Sequence, residues 1–267
     1  MSLAEREDIV RALAGALDTA WQSRTPIPPL TETNPELDVA AAYDIQTHWT
    51  DLRLARGERI VGRKIGLTSE AIQKQLNVSE PDYGALWQSS FYEASGGRVE
   101  IPTSDFLQPR IEGEIAFLFK AELSGGNVTA DDVLAATEAC ALGVEIVDSR
   151  VADWRIKLVD TIADNASYGG FTLGPWDRGL PAKDLGELAM RILQNGELAA
   201  EGMGKAALGH PAKSTAWLVN KLWGLGVTLK PGDVVISGGI TKMLPVKAGD
   251  EFIFSLSGQP DLTVAFK

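Results

Sequence analysis

The first part of the chain carries apolar residues at the spacing of a helix. An apolar side chain recurs every three or four residues from residue 10 to residue 21, which predicts an amphipathic helix with one face turned toward a core. The pattern Ser2-Leu3-Ala4-Glu5 is typical of a capping box at its start. The proline-rich segment 25–29 cannot continue the helix. The apolar stripe consists of Val10, Leu13, Leu17 and Trp21.

A second helix is predicted from Pro35 to Gly57. Proline is tolerated in the first turn of a helix and glycine is common just past its end. His48 lies within this segment beside an apolar stripe, where a histidine is more often a packing residue than a catalyst. The stripe consists of Ala42, Ile45, Trp49 and Leu52.

From residue 59 onward the pattern changes from helical to mainly alternating. Segment 59–67 is typical of a strand, and a short helix is predicted from residue 69 toward residue 76. Segment 80–84 contains Pro81 and Gly84, which indicates a loop with Asp82 in a turn.

Further along the chain, strands are predicted around residues 99, 112 and 145, and a crossover helix over 129–140. Glu145 then ends a short buried strand, 144–148. In the last third, the turns 230–233 and 247–250 each lead into an apolar strand, and a helix is predicted near 214–225.

Two acidic residues stand on one side of the strand predicted over 110–119. Glu112 and Glu114 occupy alternate positions, so their Cα atoms lie about 7 Å apart on the same face. Like charges at that spacing repel each other, and apolar neighbours solvate them poorly. A bound cation removes the conflict. The opposite face carries Ile111, Ile115, Phe117 and Phe119.

Composition narrows the class of protein and of metal. The 267 residues can bury a substantial core, and the net charge of −11 disfavours nucleic-acid backbones and anionic membranes as partners. No apolar stretch reaches the length of a membrane span and no leader sequence is evident, so we expect a cytoplasmic protein. One cysteine excludes an internal disulfide and a thiolate zinc site. With two histidines, a metal must be held mainly by oxygen, which favours Mg²⁺ or Mn²⁺ over Ca²⁺.

Five blocks of sequence occur in the order seen in the fumarylacetoacetate hydrolase superfamily, and the chain resembles its hydratase and decarboxylase branch. The resemblance implies an α+β fold, a mixed β-sandwich roll over residues 58–267 with a helical N-terminal segment, 1–57. It also implies a divalent metal on Glu112, Glu114 and Glu145. The blocks are Gly62-Arg63-Lys64-Ile65-Gly66-Leu67-Thr68-Ser69, Glu80-Pro81-Asp82-Tyr83-Gly84, Gln108-Pro109-Arg110-Ile111-Glu112-Gly113-Glu114, Val144-Glu145-Ile146-Val147-Asp148-Ser149-Arg150 and Ala163-Asp164-Asn165-Ala166-Ser167.

The resemblance also points to residues that move protons and contact a substrate. Lys64 in a partly buried metal cleft and Asp82 in a loop expected to bend over the site form the predicted acid/base pair. Hydratases of this branch typically carry an acid at the position of Asp82, where the decarboxylases tend to carry an apolar residue. The predicted substrate-binding residues are Arg63, Leu67, Tyr83, Asn165, Ser167, Gly239 and Thr241.

The predicted reaction is hydration of a 2-hydroxy-2,4-dienoate, such as 2-hydroxypenta-2,4-dienoate, to a 4-hydroxy-2-oxo acid in aromatic meta-cleavage catabolism. A 2-oxo-3-hexenedioate decarboxylase stays open, because both reactions pass through a dienolate and segment 238–241 resembles decarboxylases at least as closely. A third alternative is a non-catalytic partner in a hydratase–decarboxylase complex. A carbon–carbon hydrolase is disfavoured, since neither His48 nor His210 lies in a context typical of a general base. Homo-oligomerisation is expected by resemblance.

Overall fold

Three helices form the N-terminal layer of the computed structural model, which describes residues 3–69, 73 and 80–267. The first helix follows the predicted stripe, with Val10 and Leu17 buried. The capping-box start at Ser2, and all of the predicted short helix from residue 69 toward residue 76 except Ser69 and Gln73, lie outside the described residues. The helices are α1 (Leu3–Ser23), α2 (Leu30–Thr33) and α3 (Val39–Ala55).

The second predicted helix begins later than expected and buries three of the four residues of its predicted stripe. It starts at Val39 rather than Pro35, because the Asp38 side chain accepts a hydrogen bond from Ala41 N at 2.7 Å and caps it. Leu52, expected in the buried stripe, is 41% exposed, whereas Arg53 is buried. Arg53 can be buried because its guanidinium lies between two tryptophan rings and pairs with Glu58.

A seven-stranded mixed sheet carries most of the predicted blocks. Its order is β2-β1-β9-β4-β5-β6, with β10 paired to β4. The pairing of β1 with β9 is parallel and the other pairings are antiparallel. The strands are β1 (Ile60–Gly66), β2 (Asp82–Trp87), β4 (Arg110–Phe119), β5 (Thr137–Val147), β6 (Tyr168–Leu173), β9 (Val234–Ile236) and β10 (Leu244–Pro245).

A five-stranded sheet packs against one face of the seven-stranded sheet. Its order is β3-β12-β11-β7-β8, and Ile115 and Phe117 of the larger sheet share a core with Met190 and Phe254 of the smaller. This arrangement confirms the predicted α+β fold with a helical N-terminal segment. Its strands are β3 (Arg98–Ile101), β7 (Ala189–Gln194), β8 (Glu197–Met203), β11 (Glu251–Leu256) and β12 (Leu262–Phe266).

In the described part of the chain, three further α-helices connect the strands. The predicted helix over 129–140 is shorter in the structure. A capping box of Thr129 and Asp132 begins it, and it ends early because the chain enters β5 at Thr137. Glu145 therefore lies in a strand of eleven residues rather than a short one. No helix in the described ranges is long and apolar enough to cross a bilayer. The helices are α4 (Ala130–Ala136), α5 (Leu158–Ala163) and α6 (Pro211–Trp223).

The N-terminal helices do not form a separate core. Ile162 and Ala163 of α5 are buried in the same cluster as Leu17 and Trp49. The Gln46 side chain of α3 donates to the Ile162 and Tyr83 carbonyls at 2.8 and 2.9 Å. The helical layer therefore packs onto β2 and α5, while the division into segments 1–57 and 58–267 stays a prediction.

Candidate metal centre and active site

The three glutamates meet on one face of the seven-stranded sheet. Glu112 of β4 is the direct cross-strand partner of Glu145 of β5, and Glu114 lies two residues further along β4. Side chains two apart in a strand point to the same face, as do direct partners. One oxygen from each carboxylate lies within 4.8 Å of the other two. The strand pairing thus gathers three carboxylates around one point.

Glu114 and Glu145 are buried, Glu112 is partly buried, and the three carboxylates have too few partners for their charge. Glu114 Oε2 accepts a hydrogen bond from Gly238 N at 2.7 Å, but Glu114 Oε1 and both Glu145 oxygens accept none from the described residues. Burial, followed by repulsion from Glu145, raises the pKa of Glu112 to about 8, and the same causes raise the pKa of Glu114. Unsatisfied oxygens on a buried acidic cluster are the ligands that a hard divalent cation requires, so the residues fit such an ion.

Lys64 lies on the same face as the glutamates. It pairs with Ile236 of β9, and Ile236 pairs with Ala116 of β4, in register with the acidic positions. Its Nζ lies 3.0 Å from Glu145 Oε1 and donates to the Ala166 carbonyl at 2.9 Å. Burial alone would lower the pKa of Lys64, but the surrounding carboxylates, Glu145 first, outweigh it and raise the pKa. Lys64 therefore remains an ammonium ion inside the sheet.

Asp82 lies beside Lys64 and is not in a loop. It is the first residue of β2 and pairs with Gly66, so the predicted turn position is wrong. A Cβ on Gly66 would lie 2.2 Å from Asp82 Oδ1 and 3.3 Å from Lys64 Nζ, which places both groups against one glycine. Neither Asp82 oxygen has a hydrogen-bond partner of good geometry in the described part of the chain. Burial raises the pKa of Asp82 and attraction to Lys64 offsets this only in part.

Segment 238–241 closes over the carboxylates. A Cβ on Gly239 would lie 2.3 Å from Glu112 Oε2, so only a glycine allows this approach. Thr241 Oγ1 accepts a hydrogen bond from Gly113 N at 3.1 Å. The Gly238 N–H that binds Glu114 was missed, because a backbone donor has no side-chain signature. The pair of adjacent glycines was the available signal.

The segment 165–167 lies on the other side of Lys64. Asn165 exchanges two hydrogen bonds with the backbone of Ala85, at 2.7 and 3.0 Å, and Ser167 Oγ lies 3.2 Å from Thr161 Oγ1. Leu67, with φ of 57°, follows β1 directly. These contacts hold the walls of the site, and substrate contact by Leu67, Asn165, Ser167, Gly239 and Thr241 stays a prediction.

Two predicted substrate-binding side chains lie elsewhere. Arg63 and Tyr83 each neighbour a site residue along a strand, and they stand opposite Ala85 and Ile65 in the pairing of β1 with β2. Because alternate residues point to opposite faces, these side chains face away from Lys64 and Asp82. The Tyr83 ring stacks on Tyr43 of α3 at 4.7 Å. Substrate contact by these two side chains stays a prediction, and their orientation in the strands does not favour it.

Neither histidine belongs to the carboxylate cluster. His48 lies within α3, in the N-terminal layer. His210 caps α6, where its Nδ1 accepts a hydrogen bond from Ala212 N at 3.1 Å. A structural role for His210 agrees with this geometry.

The chain matches one family model and is similar to enzymes named as hydratases. The family model for the fumarylacetoacetate hydrolase C-terminal region matches residues 55–266. A 2-hydroxyhexa-2,4-dienoate hydratase from Comamonas testosteroni is 45% identical over 92% of this chain and 93% of its own. A 2-keto-4-pentenoate hydratase from Paraburkholderia phymatum is 41% identical over 96% and 97%.

A solved structure is similar over the whole chain. The 4-oxalocrotonate decarboxylase from Pseudomonas putida G7, complexed with magnesium and adipate, is 34% identical with a TM-score of 0.93 and covers 100% of this chain and 99% of its own. A second structure of that decarboxylase contains calcium and acetate. A divalent metal is thus common to these structures, while its identity differs.

Proposed function

Since the chain belongs to the fumarylacetoacetate hydrolase family, we propose that it is a hydratase that adds water to a 2-hydroxy-2,4-dienoate, giving a 4-hydroxy-2-oxo acid in aromatic meta-cleavage catabolism. The resemblance drawn from the five blocks is confirmed by this match. The observation that carries the proposal is a single sheet face on which three clustered glutamates, with oxygens that lack hydrogen-bond donors, lie beside Lys64 and Asp82. The hydratase names of two relatives above 40% identity support the choice of reaction.

Glu112, Glu114 and Glu145 would hold Mg²⁺ or Mn²⁺ in this proposal. Their oxygens are hard ligands, lie within 4.8 Å of one another and lack enough hydrogen-bond donors. When bound, the ion supplies a Lewis acid for the carboxylate and C2 oxygen of the substrate. Gly238 N holds Glu114 from one side, which orients that carboxylate for its ligand role.

Lys64 and Asp82 are the proposed proton carriers. The Lys64 ammonium donates to the Ala166 carbonyl at 2.9 Å and lies 3.0 Å from Glu145 Oε1, and an ammonium with three N–H groups can also donate to the substrate. Lys64 gives a proton to C5 of the dienol and takes up the O2 proton, which yields an α,β-unsaturated 2-oxo acid and restores the ammonium. Asp82 accepts a proton from the water that attacks C4 and returns it to C3.

Decarboxylation of a 2-oxo-3-hexenedioate is the second candidate. The full-length similarity to 4-oxalocrotonate decarboxylase favours it, since a TM-score of 0.93 at 34% identity covers the whole site. The acid at position 82 favours hydration instead, because the resemblance associates an apolar residue there with decarboxylases. Relatives named as hydratases also have the higher identity, at 45% and 41% against 34%.

One assay separates the candidates. With Mg²⁺ present, the enzyme is offered the hydroxydienoate and the oxohexenedioate separately, and the products are followed by ultraviolet absorbance, NMR and CO₂ release. We expect a new C4 alcohol from the hydroxydienoate. CO₂ release without the alcohol would favour the decarboxylase, and no turnover of either acid would favour a non-catalytic partner.

Variants then test the roles at the site. We expect Asp82→Asn to lose hydration by about 100-fold or more while it keeps Mn²⁺ binding, because the glutamates are untouched. Asp8→Asn on the exposed side of α1 is the matched control with wild-type activity expected. Full hydration by Asp82→Asn would remove Asp82 from the mechanism.

The proposal also includes a cytoplasmic homo-oligomer, which can associate with a decarboxylase of the same pathway. Seven tryptophans in 267 residues support an interface role for some, and Trp223 is 53% exposed. Light scattering of the purified protein, alone and with the decarboxylase, tests both associations. A monomer that does not bind the decarboxylase would contradict them.

A further inference from the structure

A second buried charged pair lies outside the carboxylate cluster. Arg150, which follows β5, and Asp164, which follows α5, are 1% and 0% exposed. Arg150 Nε donates to Asp164 Oδ1 at 2.5 Å, and Arg150 N and Ser149 Oγ both donate to Asp164 Oδ2 at 3.0 Å. Every oxygen of this carboxylate therefore has a donor, which makes the pair a rigid unit.

The remaining donors of Arg150 bind the two ends of one short segment. Nη2 donates to the Asp164 carbonyl at 2.6 Å and Nη1 to the Tyr168 carbonyl at 2.7 Å. The three residues between them, 165–167, have φ of 54°, 53° and 52°. The left-handed region is unfavourable for residues with a Cβ, so three in succession require support from outside the segment.

The middle of that segment binds Lys64. The Ala166 carbonyl accepts from Lys64 Nζ at 2.9 Å, and the left-handed backbone turns this carbonyl toward the sheet. The Asn165 amide attaches the segment to β2 through Ala85. The guanidinium of Arg150 also lies over the Trp49 ring of α3, at 5.2 Å. The position of the ammonium thus depends on a segment that Arg150 holds at both ends.

We propose that Arg150 is a positioning residue for the reaction: it holds segment 165–167 in its left-handed conformation so that the Ala166 carbonyl aims the Lys64 ammonium at the substrate. This inference rests on the role of Lys64 in the proposed function. Arg150 contacts neither Lys64 nor the glutamates in its hydrogen bonds, so it acts through the backbone alone. A lysine at this position has no planar fork and cannot reach both carbonyls.

Two variants separate positioning from stability. Arg150→Lys keeps the charge and removes the fork. Arg150→Met combined with Asp164→Leu replaces the pair by apolar side chains of similar volume, a change that buried ion pairs often tolerate without loss of stability. Both variants leave Glu112, Glu114 and Glu145 intact, so the Mn²⁺ affinity is expected to stay within about twofold of wild type.

The kcat and KM for hydration and the rate of acetylation of Lys64 are measured on each folded variant at a temperature well below its unfolding midpoint. We expect kcat for hydration to fall by about 10- to 100-fold with KM within about threefold, the usual range for loss of a residue that orients a catalytic group. We also expect acetylation of Lys64, followed by peptide mass spectrometry, to accelerate relative to exposed Lys120 in the same sample.

Each result either supports the proposed role of Arg150 or overturns it. Wild-type kcat in a folded variant overturns the proposal, and so does a lower kcat with unchanged labelling of Lys64. A lower kcat together with faster labelling supports it. If the wild-type protein shows no hydration, the proposed function fails, and the labelling of Lys64 alone still decides whether Arg150 positions it.

Discussion

Two buried charge clusters lie close along the chain in this molecule, and they differ in how their oxygens are satisfied. The Asp164 carboxylate accepts three hydrogen bonds, two of them from Arg150, whereas the Glu145 carboxylate accepts none from the described residues and has the ammonium of Lys64 at 3.0 Å. Both carboxylates are fully buried. Burial of charge alone therefore does not identify a functional site. A cluster of buried carboxylates with unsatisfied oxygens does, because several such acids close together need a cation to complete them.

The two clusters also differ in what holds them. Burial raises the pKa of Asp164 to about 6, although attraction to Arg150 offsets part of that rise. In the glutamate cluster, burial and mutual repulsion raise the pKa of Glu112 to about 8. The Arg150 pair supports the fold without a ligand, whereas the glutamates oppose it until a cation arrives.

The largest expected effect breaks the satisfied cluster. Arg150→Met alone leaves Asp164 buried without its cation, and we expect the free energy of unfolding to fall by about 3–5 kcal/mol. Chemical denaturation followed by circular dichroism measures this. The variant that also carries Asp164→Leu is the control and should recover most of the loss. Equal instability of the single and double variants would mean that the pair is not a self-contained unit.

The second prediction applies the same kind of change to the unsatisfied cluster. Glu114→Gln removes a ligand charge, so hydration with Mg²⁺ should fall by about 100- to 1000-fold, comparable with loss of a key electrostatic group. The metal-free protein should be no less stable than wild type, because one repelling charge is gone. A large loss of metal-free stability would contradict the distinction between the clusters, and retained metal-dependent turnover would end the proposed ligand set.

The third prediction concerns the ion itself. Mn²⁺ at about 100 times its dissociation constant should stabilise the protein by about 2.7 kcal/mol, and a chelator should reverse this. Thermal unfolding measures the shift, with Glu114→Gln as the unresponsive control. An equal shift in that variant would place the ion elsewhere.

The pH dependence of that shift follows from the raised pKa of Glu112. Its folded pKa of about 8 exceeds the ordinary value of 4.5, so between these values the folded metal-free protein holds a proton that the unfolded chain has lost. The metal-free stability from this group therefore falls as pH rises through that window. The Mn²⁺ must displace the proton, so its stabilisation should grow from pH 6 to pH 8. A larger stabilisation by Mn²⁺ at pH 6 than at pH 8 would contradict this prediction.

The sequence predicts one half of the site directly and the other half only by resemblance. Alternation along one strand shows that Glu112 and Glu114 share a face, because the period of a strand is a local property. Glu145 stands opposite Glu112 because their two strands pair. These residues are 33 positions apart along the chain, and no local pattern encodes such a pairing. The resemblance of the sequence blocks to the family indicated that Glu145 joins the other two glutamates.

The differences from the sequence predictions have physical causes. Pro81 and Gly84 favour a turn, but pairing with β1 and the hydrogen bonds of Asn165 hold Asp82 in a strand, so tertiary contacts override local preference. Arg63 and Tyr83 were assigned to the site as members of a block, although alternation assigns them to the opposite face. The role of segment 165–167 has no local signal, since three left-handed residues that are not glycine depend on Arg150.

The smallest expected effect sharpens the comparison at a single methyl group. Gly66→Ala places a Cβ about 2.2 Å from Asp82 Oδ1 and 3.3 Å from Lys64 Nζ, so these two side chains must move apart. We expect kcat to fall about tenfold, with Mn²⁺ affinity retained, because displacement of a catalytic group by less than 1 Å is costly. The control is Gly143→Ala on β5, where the nearest atom to the new Cβ would be Ala116 Cβ at 3.4 Å and ordinary contact results. If Gly66→Ala matched Gly143→Ala in kcat, the unpaired carboxylate of Asp82 would not need its observed position, and the link between unsatisfied oxygens and function would fail at this residue.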